Sequence, residues 1–310
     1  MCMYKLGNAM TITQKDIENG LLALGFEQGD VVLVHSSLSS FGQVEGGAEA
    51  VVDALLAVLG EKGTLVVPTF NFNPGIFDPK ATPSVVGKIT ETVRNRPDAI
   101  RSLHPTHSVA AVGPMAEAIT EGHDKMPPFG RGSALFKVLQ AKGKVLQLGT
   151  THTSNSMIHV AEEIAGVVYL DRQRQVSVTN ARGKTVDKWV RRPGCSRGFD
   201  AIDEELESRE AIREARIGDC LARLMSARAV VDAAVAMLKF DQEALLCDLP
   251  DCESCAEARA MISATETEKQ DQEVIELADE EERTRHFVEK RLEGNEVKFF
   301  VSDEHHFSPN

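Results

Sequence analysis

Short apolar runs alternate with amphipathic helical patterns through the first two thirds of this chain. The apolar runs cover residues 30–38, 63–70, 108–113 and 144–149, and the helical patterns cover residues 47–59, 85–94, 115–121 and 134–141. A strand–helix–strand order at this spacing is typical of proteins in which helices cover a central sheet. The sequence therefore predicts an α/β domain.

The remaining third follows a different pattern. Residues 175–190 predict a β-hairpin that turns at Asn180–Gly183, because β-branched residues flank a short loop containing Asn and Gly. A mostly helical region is expected from Ile202 to about Ile262. Residues 1–263 are predicted to form the main domain and residues 264–310 an acidic extension. This extension ends in VKFFVSDEHHF and is expected to be either a helix with a terminal strand or a loosely held appendage.

Composition narrows the functional classes. The chain has 310 residues, of which 42% are hydrophobic, and this is enough for a sizeable core. Its net charge of −13 disfavours nucleic-acid binding and favours either solubility alone or a cationic partner. The N-terminal MCMYKLGNAMTITQ lacks the apolar core of a signal peptide, and no apolar run is long enough for a membrane span. We therefore expect a cytoplasmic protein that does not bind membranes.

The segment THTSNSMIHVAEEIAG follows the last predicted strand and predicts a loop and then a helix that ends at Gly166. Ser156, His159 and Glu162 share one face of that helix. Imidazole titrates near neutral pH and suits proton removal, while a carboxylate on its other nitrogen fixes the tautomer. Glu163 competes with Glu162 for that role, and an ordinary solvated helix histidine is the alternative to a catalytic one.

Two further segments could line a site. HSSLSSFGQVEGGAEAV carries hydroxyl and glycine residues between a buried strand and a helix, which suits either diphosphate binding or a plain connection. In SLHPTHSVAAVGP, His104 and His107 lack a third metal ligand of matching spacing, so a pocket-wall or structural role is expected. A metal-dependent hydrolase using these two residues and His152 is a competing hypothesis.

The cysteines leave a second metal question open. Reduced thiols are the simplest interpretation of six cysteines in a chain of this length, and we expect no metal requirement. Nevertheless Cys247, Cys252 and Cys255, with a remote fourth ligand such as Cys220, have a spacing that could hold zinc. Cys220 itself is expected in a helix away from these motifs. A packing role is therefore expected for its side chain, rather than the role of a nucleophile that forms an acyl-enzyme.

Several long motifs in register resemble the aminoglycoside 3-N-acetyltransferase family over about Ile12 to Leu238. They are VLVHSSLSSFGQVEGGAEAVVDALL, GTLVVPTF, HPTHSVAAVGP, FGRGSALFKVL, GKVLQLGTTHTSNSMIHVAEEIA and IGDCLARLMSARAVVDAAVAML. The resemblance implies a three-layer α/β/α fold with a mixed sheet, acetyl-CoA as donor and a 2-deoxystreptamine aminoglycoside as acceptor. It also implies direct transfer in a ternary complex, without an acyl-enzyme.

The resemblance carries site roles onto particular positions. The family's TxxHxxE element falls on Ser156, His159 and Glu162, with Ser in place of Thr. The cofactor-binding positions it implies are His35, Ser36, Ser37, Leu38, Ser39, Phe41, Gly42, Ser108 and Phe129.

The acceptor is the least constrained part of this prediction. Asp200, Asp203 and Glu204 in the acidic run FDAIDEELE are expected to bind an ammonium group, unless that run is only a solvated helix face. An acyltransferase of the same fold acting on another amine, such as a biosynthetic intermediate or an amino-phosphonate, is the alternative. A non-catalytic CoA-binding protein is a third hypothesis, and a homodimer is possible.

Overall fold

The computed structural model describes residues 11–73, 75–179 and 182–267. The chain divides into two compact units, Met1–Arg259 and Ala260–Asn310. The described part of the second unit, residues 260–267, is helical. The terminal strand expected at VKFFVSDEHHF lies outside the described residues. No helix within the described ranges is both long and apolar enough to cross a membrane.

A seven-stranded mixed sheet forms the centre of the first unit, in the order β4-β5-β2-β1-β6-β10-β9. Strand β1 is parallel to its neighbours β2 and β6, and the remaining pairs are antiparallel. A second sheet has the order β3-β7-β8 and contains the predicted hairpin. The strands are β1 Val31–Ser36, β2 Thr64–Pro68, β3 Ile76–Phe77, β4 Ile100–Arg101, β5 Val109–Val112, β6 Lys144–Leu148, β7 Gln173–Thr179, β8 Thr185–Arg191, β9 Arg213–Ile217 and β10 Cys220–Ser226.

Helices cover both faces of the seven-stranded sheet. They are α1 Gln14–Ala23, α2 Gly47–Leu59, α3 Lys88–Arg94, α4 Ala116–Thr120, α5 Ala134–Gln140, α6 Met157–Ala165, α7 Asp203–Ser208 and α8 Ala227–Phe240. Val32 and Val34 of β1 join α1, α2 and α3 in the main hydrophobic core. Successive strand residues point to opposite faces, so Leu33 and His35 face the other side, where α5, α6 and α8 pack together. The predicted three-layer α/β/α fold is confirmed.

The mostly helical region expected from Ile202 to about Ile262 contains one pair of strands. Residues 213–226 form the antiparallel pair β9 and β10, joined by the two-residue turn Gly218–Asp219. Gly218 has a φ of +60°, which suits a tight hairpin turn. The run CLARLMS has no clear period of two because it is buried on both faces, so its Leu, Ala and Met suggested a helix. Cys220 therefore lies in a strand.

Candidate active site

A cavity of about 590 Å³ opens at one edge of the central sheet. Its walls include His35 and Ser36 at the end of β1, Phe70 after β2, and Thr150 and Ser156 after β6. These three strands are parallel to one another, so their carboxyl ends meet at the same edge. Ligands of open α/β sheets bind in this position.

Helix α6 brings His159 to the cavity wall. The helix follows Ser156, and the Oδ1 atom of Asn155 accepts a hydrogen bond of 3.2 Å from the first helical amide, that of Met157. Gly166 ends the helix in the left-handed conformation, with a φ of 72°. His159 is 8% exposed and lines the cavity.

The two nitrogens of the His159 ring have different surroundings. Nδ1 lies 2.6 Å from Oε2 of Glu162, whereas no described residue forms a hydrogen bond with Nε2. A carboxylate only accepts hydrogen bonds, so Nδ1 carries the proton in the neutral ring. The basic lone pair is then on Nε2, the ring nitrogen that Glu162 does not contact.

Glu162 is completely buried and both of its oxygens are occupied. The hydroxyl of Tyr169 donates to Oε1 over 2.9 Å. Burial, followed by the charge of Glu162, raises the pKa of Tyr169, so this phenol remains a donor. Glu163 points elsewhere and pairs with Arg191 at 3.0 Å. Of the two adjacent glutamates, Glu162 is therefore the partner of His159.

Two aromatic rings hold the plane of the imidazole. Phe129 stacks on His159, with ring centroids 4.8 Å apart and an interplanar angle of 20°. Phe199 approaches edge-on at the same centroid distance, at 66°. The ring is therefore clamped between residues from two segments outside α6.

His35 fixes the start of α6 from the sheet. Its Nε2 accepts a hydrogen bond of 3.4 Å from the amide of Ser156, so the ring proton lies on Nδ1. Burial, followed by the charge of His152, lowers the pKa of His35 to about 3. His35 is therefore neutral at physiological pH and adds no positive charge to the cavity wall. The neighbouring Ser36 hydroxyl is buried without a hydrogen-bond partner among the described residues.

The rest of the stretch predicted to bind the cofactor lies away from the cavity. Leu38–Phe41 forms a 3-10 turn, Leu38 packs against the core and Phe41 lies inside it. The Ser37 and Ser39 hydroxyls lie 3.1 Å apart and contact each other. Gly42 has a φ of +76° and faces the carboxylate of Asp219, which lies 2.7 Å from the position of a Cβ.

Of the other two predicted cofactor-binding residues, Phe129 lines the cavity and Ser108 does not. Ser108 is buried, accepts a hydrogen bond of 3.0 Å from Arg101, and donates one of 2.9 Å to the carbonyl of Thr69. Both partners are internal, so its hydroxyl does not face the cavity. In FGRGS, only Phe129 lines the cavity, while Ser133 caps α5 through the amide of Phe136.

The acidic run does not line the cavity either. Asp200 accepts a hydrogen bond of 3.2 Å from the amide of Thr153. Asp203 lies 3.1 Å from the Nε2 atom of His152 and pairs with Arg223, while Glu204 is exposed. These carboxylates support the floor of the site or face solvent, rather than presenting a charged wall to a ligand.

The three histidines of the hydrolase hypothesis do not form a metal-binding group among the described residues. The Nδ1 atom of His104 accepts a hydrogen bond of 3.0 Å from the amide of His107. His107 contacts the hydroxyl of Thr106 at 2.8 Å and lines the cavity, whereas Nδ1 of His152 contacts Asn155. Burial lowers the pKa of all three rings. The predicted pocket-wall or structural role fits these contacts.

Sequence reasoning missed two arginines that line the cavity, Arg174 and Arg192. Burial, followed by the charge of Arg192, lowers the pKa of Arg174. Two neighbouring cations in the wall, Arg174 half-buried and Arg192 exposed, favour an anionic ligand.

Sequence reasoning also missed Tyr169 and Phe199, because neither residue lies within helical reach of His159 in the sequence.

Comparison with known proteins places this arrangement in a family. A family model described as aminoglycoside 3-N-acetyltransferase matches residues 33–239. Aminoglycoside N(3)-acetyltransferase IV from Salmonella sp is 34% identical over 224 residues, which cover 71% of this chain and 85% of the relative.

Two solved structures extend the comparison to the fold. One is a histidine-to-alanine mutant of aminoglycoside acetyltransferase AAC(3)-IVa in complex with a gentamicin, with a TM-score of 0.75, 31% identity, and coverage of 84% of this chain and 99% of that one. The other is AAC-IIIb in a binary complex with CoASH, with a TM-score of 0.69, 25% identity, and coverage of 74% and 97%. Fold and relatives together define an acyltransferase. The chain belongs to the aminoglycoside 3-N-acetyltransferase family, as its motifs predict.

Proposed function

We propose that this chain transfers the acetyl group of acetyl-CoA to the 3-amine of a 2-deoxystreptamine aminoglycoside, with His159 as the general base. One observation carries the proposal. Glu162 holds Nδ1 of His159 at 2.6 Å, and the ring lines a cavity of about 590 Å³ with Nε2 unpartnered among the described residues. The names of the relatives support the acceptor, and the CoA-bound relative supports the donor.

The proposed chemistry is a direct transfer between two bound substrates. The acceptor amine attacks the thioester carbonyl carbon, and its nitrogen forms the new C–N bond. Nε2 of His159 takes the proton that the nitrogen loses, and the carbon–sulfur bond breaks to release the CoA thiolate. Protonation of the leaving thiolate by the imidazolium returns the ring to its neutral state. No protein nucleophile takes part, and the buried Cys220 lies outside the cavity lining.

Glu162 and Tyr169 act through His159 in this scheme. Once Nε2 gains a proton, the imidazolium is stabilised by the adjacent carboxylate, as in other histidine–carboxylate pairs. The hydroxyl of Tyr169 holds the second oxygen of that carboxylate and so limits its rotation. Both residues are positioning groups, because neither lines the cavity.

The donor is expected to use the polar groups of the cavity wall. Arg174 and Arg192 offer charge to the phosphates of the cofactor. Ser37 and Ser39 extend this wall only if the 3-10 turn that contains them moves on binding.

One observation favours a second candidate function. The described lining of the cavity contains two arginines and no Asp or Glu, whereas a polycationic acceptor is expected to meet carboxylates. An amine that carries an anionic group, such as an amino-phosphonate, would fit such a wall. In that case the arginines would hold the acceptor rather than the donor.

A thiol-release assay with acetyl-CoA separates the two candidates. The purified chain is given gentamicin, apramycin and other deoxystreptamine aminoglycosides in parallel with simple amino-phosphonates, and the products are analysed by mass spectrometry and NMR. The proposal expects release of CoA with aminoglycosides and acetylation at the 3-amine. Turnover with the phosphonates alone would replace it with the second candidate, and no turnover by either class would contradict both.

A further inference from the structure

Four cysteines from three separate segments converge at the edge of the proposed catalytic site, where Cys195 lines the cavity wall. Cys195 follows the hairpin, Cys247 follows α8, and Cys252 and Cys255 flank the start of the helical segment at 253. Their Sγ atoms all lie within 4.8 Å of one another. Three of these side chains are buried and Cys195 is half-buried. We call this group the cysteine cluster.

The distances between these sulfur atoms match a metal site better than disulfides. Cys195 and Cys247 have Sγ atoms 4.0 Å apart, and those of Cys247 and Cys255 are 3.6 Å apart. A disulfide requires about 2.05 Å. Four thiolates around Zn²⁺ at about 2.3 Å in a tetrahedron lie about 3.8 Å from one another. We propose that the cysteine cluster binds one zinc ion through four thiolates.

Backbone amides surround these sulfur atoms. The amide of Arg197 donates to Sγ of Cys195 over 3.3 Å, and that of Cys247 donates to Sγ of Cys255 over 3.4 Å. The amide of Cys255 donates over 3.1 Å to the carbonyl of Cys252, which holds these two ligands of the cluster in one turn. Two sulfur atoms of the cluster therefore have an amide donor, which orients and stabilises a thiolate ligand.

A cationic side chain also lies beside the cluster. Arg197, whose amide donates to Sγ of Cys195, carries an exposed guanidinium that lies 3.9 Å from the carboxylate of Asp251, the residue before Cys252. Zinc bound to four thiolates carries a net charge of about −2, and a neighbouring guanidinium offsets part of it. The arrangement supplies four ligands, amide donors and a counter-charge together.

The fourth ligand differs from the one considered in the sequence. Cys220 lies in β10 and is not part of the cluster, and Cys195, 52 positions before Cys247, takes its place. Sequence spacing could not identify Cys195. This residue precedes α7 in the chain, whereas the other three cysteines follow α8, and only the fold brings them together.

The proposed zinc has a structural role. Four protein ligands leave no open position for water or substrate, which is the pattern of structural rather than catalytic zinc. Cys195 and its neighbours Pro193, Gly194 and Ser196 line the active-site cavity. Zinc would therefore fix this wall of the cavity to the segment that follows α8.

The test measures metal and does not depend on activity. The full chain is purified without chelator, and zinc is quantified by inductively coupled plasma mass spectrometry in the unaltered protein, in the double variant Cys252→Ser/Cys255→Ser and in the control Cys220→Ser. Cys220 is a buried cysteine outside the cluster, so it matches the type of change. A second sample is stripped of metal and titrated with Co²⁺, whose tetrahedral thiolate complex has intense charge-transfer bands.

We expect one zinc per chain in the unaltered protein and in Cys220→Ser, and strong loss in the double variant. We also expect the Co²⁺ bands only when all four cysteines are present. Zinc retained by the double variant would overturn the proposal, as would an unaltered protein that binds neither Zn²⁺ nor Co²⁺ after titration. If the double variant fails to fold, zinc stoichiometry and chelator-induced exposure of four thiols in the unaltered protein decide the question.

Discussion

Nδ1 of His159 lies 2.6 Å from Oε2 of Glu162, whose side chain is completely buried. A buried carboxylate is stable only when it is paired or hydrogen-bonded, and this one has the imidazole and the hydroxyl of Tyr169 as its two donors. The pair therefore fixes the proton on Nδ1 and leaves Nε2 as the basic atom. Several consequences of this arrangement can be measured.

Replacing Glu162 by Gln keeps the shape of the side chain but allows its amide to donate to Nδ1. The ring proton then moves to Nε2, and the base is lost. We expect kcat to fall by about 10²- to 10⁴-fold with little change in the KM for acetyl-CoA. The matched control Glu163→Gln, on the adjacent residue paired with Arg191, should stay within about threefold of the unaltered protein. Equal losses in the two variants would contradict the assignment.

Arg174 distinguishes donor binding from acceptor binding. If it holds the phosphates of acetyl-CoA, Arg174→Gln should raise the KM for acetyl-CoA by at least about tenfold, because a charge-assisted hydrogen bond contributes about 1.5–3 kcal/mol. The KM for the aminoglycoside should not change. Arg228→Gln is the control, because Arg228 is an exposed residue paired with Asp232 on α8. A selective rise in the acceptor KM would instead support the second candidate function.

The elements of the first two thirds could be predicted because their signals are local. Apolar periodicity located the strands β1, β2, β5 and β6, and Gly166 marked the end of α6. Helical phase also brought Glu162, rather than Glu163, to the face of His159. What could not be predicted depends on contacts between distant segments.

Tyr169, Phe199 and Cys195 reach their partners only through the tertiary fold. Nothing in their neighbouring sequence indicates a hydrogen bond to Glu162, an edge contact with His159 or a cluster of sulfur atoms. The β9–β10 hairpin did carry a local signal, the Gly218–Asp219 pair, but the Leu- and Ala-rich run beside it favoured a helix. Burial on both faces of a strand removes the alternation that identifies it.

Gly149 precedes Thr150 of the cavity wall, and the structure leaves no room for a side chain at this position. It has a φ of +64°, and a Cβ there would overlap the side chain of Ser40. We expect Gly149→Ala to lower the free energy of unfolding by about 2–5 kcal/mol through strain and overpacking. Gly166→Ala is the control, because its φ of +72° is similar but nothing lies within 4 Å of the added atom.

Gly166→Ala should lower the free energy of unfolding by only about 1–2 kcal/mol, which is the cost of placing a residue with a Cβ in the left-handed conformation. Urea unfolding of both variants measures the difference. Equal destabilisation would show that the contact with Ser40 does not constrain the turn after β6.

His35 makes stability depend on pH. Burial lowers its pKa from 6.5 to about 3, so between these values the unfolded chain binds a proton that the folded chain does not. The free energy of unfolding should therefore fall as the pH is lowered from about 6.5, by up to about 1.4 kcal/mol per pH unit from this residue.

In His35→Gln, the side-chain carbonyl can still accept from the amide of Ser156, but this titration is gone. Denaturant unfolding between pH 6.5 and pH 4.5 should show a shallower slope in the variant than in the unaltered protein. Parallel slopes would contradict a neutral, buried His35.

The most direct test of the central claim is acetyl transfer by His159→Ala. Its kcat, measured by CoA thiol release with an aminoglycoside, is compared with its affinity for acetyl-CoA, measured by calorimetry. If His159 is the general base, kcat falls by about 10³-fold or more while the affinity changes by less than about threefold. A variant that binds acetyl-CoA normally and keeps kcat within about tenfold would contradict the account.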